Sequence, residues 1–233
     1  AIAEAFAKEG AKVGVNDLNS DTAQAVADGI KKAGGTAASV QADVSKEADA
    51  VKIVKFTVDT YGRLDVLVNN AGIELIKPTH ELTEQEWDSV MNVNMKGLFL
   101  VSKHGVIQMM ANGGGSVINM ASAAGIIGFP LLGSYCATKG GVIQLTKSMA
   151  LDYRAANIRV NALCPALIKT DLGDRFVESY QAVGVPAEEL LMTMQGRMGT
   201  VEDVAGAALF FASDDSSFVN GVALPIDGGA CAG

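Results

Sequence analysis

The sequence predicts an α/β fold: a doubly wound, Rossmann-like parallel sheet in three α/β/α layers, built as one domain over 1–233. Three observations predict it. Short apolar runs alternate with longer amphipathic segments from end to end, with no repeat or linker between them. The short runs are rich in Val, Ile and Leu, as suits strands buried on both faces. About half of the 233 residues (49%) are hydrophobic, enough for one large core.

The chain opens with Ala1-Ile2-Ala3-Glu4-Ala5-Phe6-Ala7-Lys8, a helical pattern with a Glu4/Lys8 pair at i, i+4 and no signal-peptide character. Strands are expected at Lys12–Asn16, Ala37–Gln41, Leu64–Asn69, Ser116–Met120, Ile158–Leu163 and Val222–Ile226. Helices are expected at Asp21–Ala33, Lys46–Tyr61, Glu84–Ala111, Ser134–Ala156 and Val201–Ala212. Thr83-Glu84-Gln85-Glu86 reads as a capping box, and Thr200-Val201-Glu202-Asp203 as a weaker variant of one. The segment 165–199 fits neither a strand nor one long helix and exceeds an ordinary connection, so it reads as an active-site lid that carries substrate contacts.

Composition excludes several function classes. Eighteen basic against 26 acidic residues leave a charge of −8, which removes the electrostatic reason for a nucleic-acid or anionic-membrane surface. The longest uncharged stretch, His104 to Thr138, is broken by Gly113-Gly114-Gly115, Asn119 and Pro130, so it does not read as a membrane span. Cys136, Cys164 and Cys231 are an odd set without C-x-x-C spacing, and His80 and His104 stand far apart; neither a disulfide framework nor a metal site is expected. Reduced cysteines imply a cytoplasmic protein.

In open α/β sheets ligands bind beyond the carboxyl ends of the strands. Asp17 follows the first strand; its carboxylate suits the ribose hydroxyls of an adenine dinucleotide and repels a 2′-phosphate, which favours NAD over NADP. It also reads as a turn or helix-cap residue, since Asn19, Ser20 and Asp21 surround it. Asp43, followed by Val44, suits an adenine amino group or simply caps the next helix. Asn69-Asn70-Ala71-Gly72 follows the third strand, where small residues let the backbone approach a flat ligand and Asn amides fix turn and strand geometry; a plain strand-to-loop turn is the alternative.

Ser122 lies two residues past the fourth strand, Tyr135 thirteen further on, and Lys139 one helical turn beyond that. With 4 Tyr, 13 Lys and 13 Ser in the chain, chance supplies roughly 0.01 such triples. A phenol near pKa 10 is a poor base at neutral pH, and an ammonium one turn away favours the phenolate. Lowering it by about three units takes roughly 4 kcal/mol, which Lys139 and a bound nicotinamide cation would supply together. Ser122 would donate to the substrate oxygen as charge develops there.

These residues resemble the single-domain short-chain dehydrogenase/reductase family, over essentially the whole chain. The resemblance rests on Asn69-Asn70-Ala71-Gly72, on Ser122 with Tyr135-x-x-x-Lys139, and on Val93-Asn94-Met95-Lys96-Gly97; Asn92 lies outside the last pattern. It implies Tyr135 as acid/base, Ser122 as substrate orienter, Lys139 as ribose binder and activator of the tyrosine, and Asn94 as holder of a proton-relay water. It also implies Asp17, Asp43, Val44, Asn70, Ala71 and Gly72 on the cofactor. Pro165-Ala166-Leu167-Ile168-Lys169-Thr170 resembles the family's Pro-Gly-x-x-x-Thr segment, which places Ile168 and Thr170 at the nicotinamide carboxamide. Ala166 replaces a glycine there and costs on the order of 1 kcal/mol if the position needs a positive φ.

The family opens with a strand and a Gly-rich Thr-Gly-x-x-x-Gly-x-Gly turn that this sequence lacks, about 10–20 residues by usual element lengths. That strand would sit between those at Lys12–Asn16 and Leu64–Asn69, so a polypeptide beginning at Ala1 is expected to be unstable or inactive. The resemblance further implies a homotetramer with the Asn94–Met110 and Tyr135–Ala156 helices at an interface, and Gly140 and Gly141 within a helix suggest close packing.

The expected activity is hydride transfer between NAD(H) and a small-molecule secondary alcohol or ketone. A 3-oxoacyl-carrier-protein reductase is the rival enzyme, disfavoured by the charge of −8 and by Asp17; a dinucleotide-binding scaffold without turnover is the rival class. Leu167, Leu172, Phe176, Tyr180, Met192, Met194 and Met198 on the lid, with Ile126, Ile127 and Phe129 after Ser122, suggest an apolar substrate pocket, although such residues commonly just cover a core.

Overall fold

The computed structural model describes residues 1–186, 189, 193–232; the expected lid residue Met192 lies outside them. Among the described residues there are six parallel strands: β1 (Lys12–Asp17), β2 (Thr36–Gln41), β3 (Val66–Asn69), β4 (Gly115–Met120), β5 (Ile158–Pro165) and β6 (Ala223–Ile226). They form two hydrogen-bonded groups, β1-β2 and β3-β4-β5-β6, and β1 and β3 do not pair with each other. The register sets Val117 of β4 between Leu67 of β3 and Val160 of β5, all buried, as their apolar runs require.

Helices cover both faces, so the three-layer expectation holds. On one face α3 (Glu47–Tyr61), α5 (Leu98–Ala111) and α6 (Gly133–Tyr153) bury Val54, Leu100, Met109 and Met149 against Val117 and Val160. On the other, α1 (Ile2–Lys8) and the helix Val201–Ala212 bring Phe6, Val204 and Phe211 onto Ile118 and Leu163. Helix α2 (Ser20–Lys32) packs Ala27 and Ile30 against Ala37 of β2. Burying each of these large side chains contributes roughly 1.5–3 kcal/mol.

Two differences from the sequence reading matter for the site. The expected single helix Glu84–Ala111 is α4 (Glu84–Met91) and α5 joined by a π-helical segment, Asn92–Gly97, with helical dihedrals at both junctions. Such wide turns cluster at functional positions, and this one holds Asn94. Within 165–199 there is a helix, α7 (Asp171–Ala182), capped by Thr170, whose hydroxyl accepts from the Gly173 amide at 3.1 Å. The final helix, α8, is Val201–Ala212, and both expected capping boxes are formed, Thr83 with Glu86 and Thr200 with Asp203. Among the described residues no helix is long and apolar enough to cross a membrane, and no cluster of three or more His, Cys, Asp or Glu is placed to hold a metal.

Candidate active site

The site lies at the carboxyl ends of β3, β4 and β5, where Asn94, Ser122, Tyr135 and Lys139 converge. Tyr135 is in the first turn of α6, and the ammonium of Lys139, one turn on, lies 5.4 Å from the centre of the tyrosine ring. Lys139 is 3% exposed and donates to the Met120 carbonyl at the end of β4 at 2.7 Å. That bond fixes the stem of α6 to the strand just before Ser122. The Ser122 hydroxyl accepts from the Ala124 amide at 3.1 Å and faces the Pro165 carbonyl at 3.4 Å, so the loops after β4 and β5 meet at this side chain. Gly125 brings the β4 loop onto α6 so closely that a Cβ there would stand 2.6 Å from the Lys139 carbonyl carbon and oxygen.

Asn94, 1% exposed, uses its amide as a clamp. Its oxygen accepts from the Ile73 amide at 2.8 Å, and its nitrogen donates to the Ile73 carbonyl at 2.8 Å and to the Thr138 hydroxyl at 3.1 Å. The π segment, the loop after β3 and helix α6 are thereby locked together. Gly72 sits at the junction: a Cβ there would lie 3.4 Å from the Asn94 oxygen and 3.5 Å from the Lys139 nitrogen. Asn69 fixes strand geometry as its residue type suggests, its buried amide donating at 2.8 Å to both Ser102 and Asn119, whereas Asn70, Ala71 and Gly72 line an exposed strip.

Burial dominates the electrostatics of the chain by itself, without the nicotinamide charge on which the expected acidification of the phenol also depends. Loss of hydration pushes Tyr135 up to about 12, with the Ser122 hydroxyl acting the other way and the Glu74 charge adding to the rise. The same burial pushes Lys139 down to about 8. Water exclusion penalises both charged forms. In the folded chain alone, the phenol is therefore a protonated donor at neutral pH.

The outer positions are arranged as follows. Asp17 ends β1 and accepts from the Asn19 amide at 2.8 Å, while Asn19 itself caps α2. The turn reading of Asp17 is thus realised through one of its carboxylate oxygens. Asp43 accepts from the Ser45 hydroxyl at 2.7 Å and amide at 3.0 Å, contacts that hold its carboxyl below the usual range in a turn ahead of α3; it does not cap that helix, whose N-cap is Lys46. Val44 packs at Gly97, where a Cβ would approach its methyl to 2.8 Å. Ile168 bridges to Gly199 in parallel, and the Thr170 hydroxyl is engaged as the cap of α7. Positive φ among described non-glycine residues occurs at Leu131 and Asn157 and not at Ala166, so the strain considered for that alanine does not arise.

The close packing around Gly140 and Gly141 is internal. A Cβ on Gly141 would stand 2.9 Å from the Met95 sulfur, and one on Gly140 would meet the Gly125 carbonyl at 3.7 Å. Of the apolar residues expected around the pocket, Leu167, Phe176, Tyr180, Met198 and Phe129 do gather beside Tyr135, with Ile76, Leu132 and Cys136. Ile126 is instead exposed at 42%, and Leu172, Met194 and Ile127 lie outside this cluster. The Phe176 and Tyr180 rings stack at 4.3 Å, and the Tyr180 hydroxyl donates to the Pro130 carbonyl.

One charged residue escaped the sequence reading. Glu74 follows the pinned Ile73, is half-buried, and has its carboxyl raised to about 7 by burial, with the Arg175 charge opposing. Its signal was a lone carboxylate within the apolar run Ile73-Glu74-Leu75-Ile76.

An α/β crevice with a tyrosine, a lysine and a serine gathered at the strand ends defines an enzyme of the dinucleotide-fold type. A family model of the short-chain alcohol dehydrogenase type, described as Enoyl-(Acyl carrier protein) reductase, matches residues 1–231. The chain is 40% identical to 2-(S)-hydroxypropyl-CoM dehydrogenase 3 of Xanthobacter autotrophicus over 233 residues, covering 100% of this chain and 91% of that one. A gluconate 5-dehydrogenase of Burkholderia cenocepacia J2315, solved with NADP and tartrate, superposes with a TM-score of 0.92 at 33% identity, covering 100% of this chain and 90% of that one. An NAD+-bound xylitol dehydrogenase superposes with a TM-score of 0.93 at 32% identity, covering 98% and 93%. The chain belongs to the short-chain dehydrogenase/reductase family of oxidoreductases.

Proposed function

We propose that the protein moves hydride between NAD(H) and a secondary alcohol or ketone, with Tyr135 as the acid/base. The observation that carries this reading is the stacking of the Lys139 ammonium 5.4 Å from the Tyr135 ring, beside Ser122 and Asn94. A dinucleotide suits the residues present, because the exposed Ala71 and Gly72 leave the backbone open to a flat ligand beside the Lys139 amine. When bound, the cofactor supplies the hydride acceptor or donor and, in its oxidised form, a positive charge. Tyr135 gives its proton to the carbonyl oxygen in reduction and takes the alcohol proton in oxidation. Ser122 orients that oxygen, Lys139 holds ribose hydroxyls and steadies the phenolate, and Asn94 holds the loop beneath the relay water.

Asp43, Val44, Asn70, Ala71, Ile168 and Thr170 belong to the cofactor face in this reading. Asp17 supports NAD over NADP through its free carboxylate oxygen, and the segment 165–199 serves as the substrate lid. A carrier-protein thioester is the second reading; the match to a carrier-protein reductase model favours it, while a charge of −8 opposes docking of an acidic carrier. Three free thiols suit a cytoplasmic setting, and a homotetramer is the expected assembly.

Tyr135→Phe is expected to lower turnover of secondary alcohols by at least a thousandfold while NADH binding, read by nucleotide fluorescence, stays within about threefold. Turnover retained in this variant overturns the assignment.

A further inference from the structure

Glu74 has no part in the chemistry above, yet the fold pins the loop that carries it on both sides. On its amino side, Ile73 is gripped through both its amide and its carbonyl by Asn94, each at 2.8 Å. On its carboxyl side, the Lys77 amide donates at 2.8 Å to the Leu131 carbonyl, two residues before α6. Between these pins Ile76 packs with Tyr135, Cys136, Phe176 and Tyr180, so the short loop is applied to the pocket wall. The carboxyl is close enough to Tyr135 and Tyr180 for its charge to act on both phenols. Among the described residues it receives no hydrogen bond, and its nearest influential charge, Arg175, is exposed on α7 and forms no ion pair with it.

A half-buried carboxyl without a donor, on a loop applied to an apolar cluster, is held at a cost unless a ligand satisfies it. Its own charge repels an anionic group on the substrate, and an ammonium would have to shed its water to enter apolar surroundings. A neutral hydroxyl fits both constraints. We propose that Glu74 is a specificity-determining residue that accepts a hydrogen bond from a second hydroxyl of the substrate, so that the enzyme acts on neutral diols or hydroxyketones in preference to simple alcohols, hydroxy acids or amino alcohols. This inference rests on the oxidoreductase reading above and adds the substrate class to it.

The test compares butane-2,3-diol, butan-2-ol, lactate and 3-aminobutan-2-ol with NAD in the wild type, Glu74→Ala and Glu74→Gln. The wild type is expected to favour the diol over the mono-alcohol by at least tenfold in kcat/KM, as sites built to bond a hydroxyl do. Glu74→Ala should erase that preference by raising KM for the diol at least tenfold more than for butan-2-ol, since any change that loss of its charge makes at Tyr135 falls on both substrates alike; Glu74→Gln, which keeps an acceptor, should restore most of the preference. A merely structural role for Glu74 would depress both substrates alike, and that result overturns the proposal. So does a wild-type preference for lactate, the amino alcohol or the mono-alcohol. If butan-2-ol is turned over and only the diol preference is missing, the Glu74 inference alone fails; if no alcohol is turned over, the oxidoreductase reading falls and takes this inference with it.

Discussion

At the scale of single residues, Lys139 shows an active site working against stability. Its amine is pushed from 10.5 to about 8 by burial, so between those values the unfolded chain binds more protons than the folded one. Wild-type stability should therefore rise with pH from about 8 to 10.5 through this group, and the penalty should be present in full below pH 8. That penalty is worth about 3 kcal/mol, offset by about 1 kcal/mol for the bond to Met120. Lys139→Met is accordingly expected to be more stable than the wild type by about 2 kcal/mol at pH 7 in urea unfolding, with the gap closing by pH 10.5, and to be inactive. A variant less stable at pH 7 would show that the ammonium is held favourably and that burial is not what governs it. Tyr135, raised to about 12 by the same exclusion of water, fits the donor role in ketone reduction. Alcohol oxidation needs a further positive charge beside it.

At the scale of elements, what was legible in the sequence is what local chemistry decides. The capping residues Thr83 and Thr200, the six apolar strands and the helical Tyr135/Lys139 spacing each depend on neighbours within a turn or two, and the structure reproduces them. The π segment at Asn92–Gly97 was not legible, because its cause is distant: the Asn94 amide reaches Ile73 and Thr138, 21 and 44 residues away. Glu74 was missed for the same reason, since its meaning comes from Tyr135 and Tyr180 across the cleft. Gly125 is a third example. It needs no positive φ, and nothing around it in sequence marks it, yet a Cβ would press on the Lys139 backbone at 2.6 Å. Backbone cannot move aside as a flexible side chain can, so Gly125→Ala should destabilise the protein by about 1–3 kcal/mol. Because the displaced residue is Lys139, kcat should fall at least tenfold while the far-UV circular dichroism stays unchanged. Full activity in this variant would mean that the β4 loop and α6 can separate without disturbing the site.

At the scale of the whole molecule, several of the exposed apolar residues are carried by two sets of elements, while Leu18, Val51, Ile73, Ile126 and Val183 are exposed elsewhere. Phe99, Ile107 and Met110 on α5 are 49%, 54% and 45% exposed, and Leu151 on the neighbouring α6 is 65% exposed. Phe210 on α8, Phe218 beyond it and Val222 before β6 are 40%, 102% and 37% exposed. Large apolar side chains grouped in this way mark association surfaces on a soluble protein. A single self-complementary surface closes a dimer, whereas two surfaces with different two-fold axes close a tetramer and leave no open end. The homotetramer proposed above therefore needs both faces, and each can be broken independently. Sedimentation should give a mass of four chains for the wild type, two chains for Phe99→Glu with Leu151→Glu, two chains for Phe218→Glu, and one chain when all three substitutions are combined. The first set of residues stands on α5, which continues from the π segment, and on α6, which carries Lys139, so its dimer-breaking variant should also lower kcat, while Phe218→Glu should leave kcat closer to the wild-type value. A wild-type mass of one chain would dispose of the tetramer, and a single-step fall from four chains to one in either variant would show that the two surfaces form one interface.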